Sequence, residues 1–269
     1  MIFQGRYLGP LRAITGGIRA RTHLAQVVVA GRPETAYVKA FEVGAERLLF
    51  NEVAGGWLAQ RAGIGCPPGG LLWVPAEALA AVFPGVGFDA HEGSVPCCAC
   101  APVGNGYGLA ALGLGDSVHQ LVELTRQHLL AWPGFASCVA FDEWVANVDR
   151  HVNNLLLAAG GRLVPIDHSD CFGGIEGLHQ DPDFAGPHAW YRNRLLEDLF
   201  APDRLPLPLK AALVLAAEQC SQVHHQCDEG LRRLAPWLGE KRGLHWLEWL
   251  EARAGLTAEL VRNRVRLLA

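Results

Sequence analysis

Between Asn147 and Ser169 the chain reads Asn-Val-Asp-Arg-His-Val-Asn-Asn-Leu and, a few residues later, Val-Pro-Ile-Asp-His-Ser. Three side chains in this stretch constrain the fold: Asp149, the amide Asn154 and the later carboxylate Asp167. Two short apolar runs, 155–158 and 162–166, separate the last two and meet at Gly160-Gly161, which predicts a β-hairpin. Such a hairpin returns Asp167 to the side of the Asp149 loop. A carboxylate that accepts a proton, with an amide and a hard carboxylate oxygen suited to Mg²⁺, is the set that phosphoryl transfer from ATP requires. The reason is that charge develops on phosphoryl oxygens during the transfer.

The N-terminal third supplies a matching partner. Residues 24–30 are apolar and β-branched, 31–35 have turn chemistry, and 36–41 resume a β pattern, so a hairpin is expected with Lys39 on its second strand. From 45 to 62 no proline occurs, and Leu48, Leu49, Val53, Trp57 and Leu58 recur at helical spacing, which places Glu52 on or near the buried face of a helix. A strand lysine followed by a helical glutamate lets an ammonium reach phosphate while a carboxylate holds it. Upstream, Gly16-Gly17 precedes the first expected strand, where backbone N–H groups could approach phosphates, although no G-x-G-x-x-G is present.

The stretch Val148-Asp-Arg-His-Val-Asn-Asn154, followed by Ile166-Asp-His-Ser169, resembles the HipA-like kinases and, more distantly, the phosphatidylinositol 3/4-kinases. Phe141-Asp142-x-Trp144, Tyr37-Val38-Lys39, the helix around Asn51-Glu52 and Gly63-Ile64-Gly65-Cys66-Pro67 favour the former. The resemblance spans roughly residues 10–175. It implies Asp149 as catalytic base, Asn154 and Asp167 as metal ligands, Lys39 as the contact to the α/β-phosphates and Glu52 as its ion-pair partner. Gly16, Gly17 and His151 are expected to touch the nucleotide. Asp142, Trp144 and Asn147 read as packing and bracing for the loop, Arg150 as structural and Asp170 as an exposed turn residue.

The fold expected is α+β, a two-lobed protein-kinase-like architecture. Residues 1–103 form a small β-containing lobe with the Glu52 helix, and 104–269 a mostly helical lobe with the catalytic loop at 147–154. The segment from Ser94 to Val103 crosses between them, with ATP and Mg²⁺ near the crossing. The proline-broken last third is helical and ends in an amphipathic run, Gly243 to Ala269, expected as a helix pair.

At 269 residues, half of them apolar, the chain can bury a large core. A net charge of −4 with scattered basic residues excludes a nucleic-acid stripe, and neither a secretory signal nor an uninterrupted apolar span is visible, so a cytoplasmic protein without membrane contact is expected. The eight cysteines then read as reduced thiols, with Cys97/Cys100 and Cys220/His224/Cys227 as soft-ligand clusters better explained by burial than by zinc. The acceptor is expected to be a hydroxyl, most simply a protein Ser or Thr, with Thr15 and Thr22 as autophosphorylation positions. A small-molecule or lipid phosphotransferase and a non-catalytic binding module are the alternatives.

Overall fold

A computed structural model describes residues 3–14, 20–45, 47–103, 107–108, 118–176 and 186–267. The first part of the chain is a five-stranded closed barrel in the order β1 (Phe3–Ile14), β2 (Ala20–Val29), β3 (Arg32–Phe41), β5 (Ser94–Cys100) and β4 (Gly69–Pro75). All neighbours are antiparallel except β1 and β4, whose parallel pairing of Phe3 to Arg6 with Gly70 to Trp73 closes the barrel. Alternation sorts the side chains: Ala36, Val38 and Ala40 of β3 and Val95, Cys97 and Ala99 of β5 point into the barrel core. Leu79, from helix α2 (Ala76–Val82), joins that core.

The expected hairpin of β2 and β3 forms, but its turn is tighter than expected. Ala30 and Gly31 alone make it, both at positive φ, and Arg32 already pairs with Val29. Pro33 is tolerated in the strand because β5 pairs with β3 only from Tyr37 to Lys39, leaving the proline on an edge. Strand β1 has no clear sequence signal, since Gly5, Gly9 and Pro10 interrupt its alternation. Register shifts between Tyr7 and Gly9 and between Pro10 and Arg12 absorb the breaks. Gly5 is there for packing, as a Cβ would lie 2.6 Å from Leu72 Cδ2.

Helix α1 (Arg47–Arg61) lies against the barrel, yet Phe50, Ala54 and Leu58 belong to the larger core of the helical region. That core gathers α4 (Phe135–Trp144), α6 (Leu207–Leu234) and α7 (Glu240–Val265), with α3 (Val118–Ala131) contributing Leu129 and the short α5 (Arg194–Glu197) Leu195 and Leu196. The two-residue strand β6 (Tyr107–Gly108) pairs with β7 (Leu155–Leu157), which pairs with β8 (Leu163–Pro165) as the expected second hairpin.

The C-terminal run is one helix, not a pair. Gly243 does not break it but lets it approach its neighbour, since a Cβ there would sit 2.4 Å from the Ala235 carbonyl oxygen. Pro206 and Pro208 start α6 rather than interrupt it, proline being compatible with a first helical turn. At the centre of this region Glu143 is enclosed by Arg253 and Arg264, with Arg253 Nε donating to its carbonyl oxygen at 2.8 Å and Arg264 Nε to its carboxylate at 3.0 Å. Trp144 Nε1 donates to the Leu250 carbonyl at 3.1 Å, tying α4 to α7. No helix among the described residues is long and apolar enough to cross a membrane.

Candidate active site

The β3 alternation that buries Val38 turns Tyr37 and Lys39 outward, and Lys39 pairs in register with Thr22 on one side and Cys98 on the other. Its ammonium lies 2.7 Å from Glu52 Oε1 and 3.3 Å from Asp167 Oδ1. Glu52 Oε2 in turn accepts the backbone N–H of His168 at 2.8 Å, so one α1 glutamate joins the barrel strand to the segment after β8. Asn51 adds a second tie, its Nδ2 donating to the carbonyls of Ser169 and Cys171 at 2.9 and 2.8 Å. Gly55 is required by the same closeness: a Cβ would lie 2.8 Å from Cys171 Sγ and 2.9 Å from His168 Cβ.

Asp167 itself is left-handed, φ 63°, a conformation that aspartate tolerates better than most side chains. Its Oδ1 accepts the Ser169 hydroxyl at 2.8 Å as well as facing Lys39. Burial alone would lower the Lys39 ammonium, but the Asp167 and Glu52 carboxylates outweigh it and hold the lysine above its ordinary range. Burial would raise Asp167, and Lys39 with the Ser169 hydroxyl reverses this and holds it below the usual carboxylate range. Glu52 is pushed up by burial, with Lys39 opposing.

The loop after α4 is braced on both sides. Asp149 N–H donates to Asn147 Oδ1 at 3.2 Å, the bracing expected of Asn147. Val148 N–H donates to the Asp170 carbonyl and Gly173 N–H to the Ala146 carbonyl, at 3.1 and 3.0 Å. Arg150 is buried and structural: Nε donates to Asp142 at 3.2 Å, while Nη1 donates to the carbonyl of Ile166 and, at 3.1 Å, to that of Asp167. Asn154 donates from Nδ2 to the Asp149 carbonyl at 2.9 Å, and its own carbonyl accepts from Ile166 N–H at 2.9 Å. These bonds tie Asn154 to the Asp149 backbone on one side and to Ile166, the residue before Asp167, on the other. The Asp149 carboxylate is paired with Arg194 Nη1 and lies 3.6 Å from His151 Nε2.

A cavity of about 310 Å³ opens between the barrel and the helical region. Lys39, Glu52, Asp167 and His168 form its polar end, and Tyr37, Cys98, Cys100, Val103, Leu156 and Ile166 are among its other walls. Asp149, Asn154 and His151 do not line it. His151, expected at the nucleotide, lies instead beside Asp149 in a second hollow of about 240 Å³ with Val152, Asn153, Arg194, Asp198 and Leu199. Gly16 and Gly17, with Thr15, lie outside the described residues. Asp170 is buried rather than exposed, because its backbone and that of Cys171 are drawn in under the loop.

Cys97 faces the barrel core and Cys100 the cavity, while Cys220, His224 and Cys227 lie on α6. No group of three or more His, Cys, Asp or Glu side chains is arranged to hold a metal among the described residues. Arg194 had no sequence signal, since nothing in its local pattern ties it to Asp149.

The architecture is thus mixed α+β, with a β-rich N-terminal and a helical C-terminal region, of a kind seen among kinases. The crystal structure of a Helicobacter pylori proinflammatory kinase, CtkA, superposes with a TM-score of 0.59 over 96% of this chain and 97% of that one, at 12% identity. No family model and no curated protein matches the sequence. The resemblance to HipA-like kinases accordingly rests on the motif residues.

Proposed function

We propose that this chain is an ATP- and Mg²⁺-dependent kinase of HipA-like type that transfers the γ-phosphoryl group to a hydroxyl, most simply that of a protein serine or threonine. The observation that carries the reading is the Lys39 ammonium held between Glu52 and Asp167 at the polar end of a cavity, with Asp149 and Asn154 one hairpin away. In this reading residues 1–103 form the lobe that covers the nucleotide and 104–269 the lobe that carries the loop.

The cavity supports an adenosine moiety against Tyr37, Cys100, Val103, Leu156 and Ile166, and phosphates at the Lys39 end. Glu52 keeps the Lys39 ammonium aimed there and charged, and Lys39 steadies the α/β-phosphates. Mg²⁺ fits the donors present: Asp167 takes Lys39 and Ser169 on Oδ1, leaving Oδ2 clear of both, and Asn154 uses Nδ2 for Asp149, leaving its amide oxygen. When bound, the metal would neutralise charge on the phosphoryl oxygens. Asp149 accepts the proton of the attacking hydroxyl.

The test is the melting temperature with and without ATP and Mg²⁺, since a ligand bound only by the folded state raises it. A metal-dependent rise in the wild type that Asp167→Ala removes supports the site; no rise in the wild type overturns the reading.

A further inference from the structure

The cavity between the barrel and the helical region extends beyond the proposed nucleotide position. Its walls cross the barrel strand by strand, from Ile14 of β1 through Thr22 of β2, Lys39 of β3 and Cys98 of β5 to Gly70 of β4. With strands about 4.8 Å apart, the β4 end lies about 10 Å along the sheet from the Lys39 strand. The adenosine walls, Tyr37, Cys100, Val103, Leu156 and Ile166, do not account for that end. Facing it are Val53, Gly56 and Trp57 of α1, with Pro67 from the loop before β4. Gly55 and Gly56 are consecutive glycines inside α1, where glycine is destabilising relative to alanine. Gly55 is explained by its closeness to Cys171 and His168, but a Cβ on Gly56 would meet only His168 Nδ1, at 3.8 Å. Close packing therefore does not demand glycine at 56, and its effect is to keep the cavity open. His168 lines the cavity and is 4% exposed, and neither of its ring nitrogens has a hydrogen-bond partner among the described residues. A buried imidazole without partners is unfavourable, and a ligand that supplies one removes part of that cost.

We propose that the β4 end of the cavity is a second ligand subsite, which takes a small uncharged aromatic molecule carrying a hydrogen-bonding group and holds it beside the nucleotide rather than in its place. The inference goes beyond the kinase reading and uses it only for what fills the other end. The ligand's polar group meets His168 at Nδ1, the nitrogen turned toward the bare flank of Gly56. Its ring lies among Val53, Trp57 and Pro67. Trp57 is a fixed wall, because α6 leaves room for its ring at Gly230, where a Cβ would lie 2.3 Å from Cη2. A flat aromatic wall favours an aromatic ligand. The ligand is uncharged because these walls offer no counter-charge, and both Glu52 oxygens are committed, one to Lys39 and one to the His168 N–H.

The experiment titrates benzamide, one ring with a neutral amide, into the full chain and follows it by saturation-transfer NMR with ATP and Mg²⁺ at saturation, so that the nucleoside end is already filled. The wild type is expected to bind benzamide with a Kd on the order of 1 mM, as suits a ligand of this size. His168→Phe, which keeps a ring of similar shape and removes both nitrogens, should raise that Kd about fivefold, the order of one hydrogen bond. Gly56→Leu, which fills the chamber from a helix position that accepts leucine, should abolish the signal while the ATP–Mg²⁺ thermal shift persists. No benzamide signal in the ATP-loaded wild type, an unchanged Kd in His168→Phe, or a signal that survives in Gly56→Leu would each overturn the subsite and leave the nucleotide site standing. Absence of the thermal shift in the wild type would instead remove the kinase reading; benzamide titrated alone into the same two variants then decides the subsite by the same criteria.

Discussion

Lys39, Glu52 and Asp167 come from a strand, a helix and a hairpin exit, and all three meet at one ammonium. Each was legible in the sequence because each sits in a pattern of its own: strand alternation, helical spacing, and the order of base, amide, hairpin and carboxylate. Arg194 was not, since an ion pair across the fold leaves no trace in local spacing. Replacing Glu52 with Gln keeps an acceptor for the His168 N–H but removes the charge facing Lys39. The expected outcome is a rise in KM for ATP of about tenfold, read by initial rates at varied ATP. Asp149→Asn should leave the ATP-dependent thermal shift in place while phosphoryl transfer falls by about 100-fold or more, the usual worth of a general base.

At the scale of elements, the sequence placed β2, β3, α1 and the β7–β8 hairpin within a few residues, because their periodicities run uninterrupted. It missed β1, whose glycines and proline are absorbed by register shifts, and expected a helix pair where α7 is a single helix. The two α7 glycines differ physically, and the difference is measurable. Gly243→Ala drives a Cβ into the Ala235 carbonyl and should destabilise by about 1–3 kcal/mol. Gly255→Ala meets nothing within 4 Å and should stabilise by about 1 kcal/mol, through helix propensity alone. Urea denaturation midpoints of the two variants check both signs.

Among the described residues there are two separate apolar cores, one in the barrel and one in the helical region that includes α1, and the cavity lies between α1 and the barrel strands. Stability should depend on acid through His23, which is fully buried in the barrel wall between the rings of Tyr7 and Phe83. Burial lowers its pKa from 6.5 to about 4. Between those values the unfolded chain binds a proton that the folded one refuses, so stability falls as pH drops from 6.5 toward 4. His23→Gln, whatever its absolute stability, should show a shallower loss of urea midpoint between pH 7 and pH 5 than the wild type.

The parallel pairing of β1 with β4 also sets an order of events during synthesis. Phe3 to Arg6 leave the ribosome early but have no parallel partner until Gly70 to Trp73 follow, with the whole of α1 in between. The nascent chain can fold β1, β2 and β3 as an open meander, but the barrel must wait for β4 and for β5, which inserts between β4 and β3. Long-range closure of this kind is slow relative to local pairing, and until it occurs the open edges of β1 and β3 are exposed to other chains. The expected vulnerability of this protein is therefore early, in the interval before β5 emerges, when a chaperone that covers strand edges would raise the yield most.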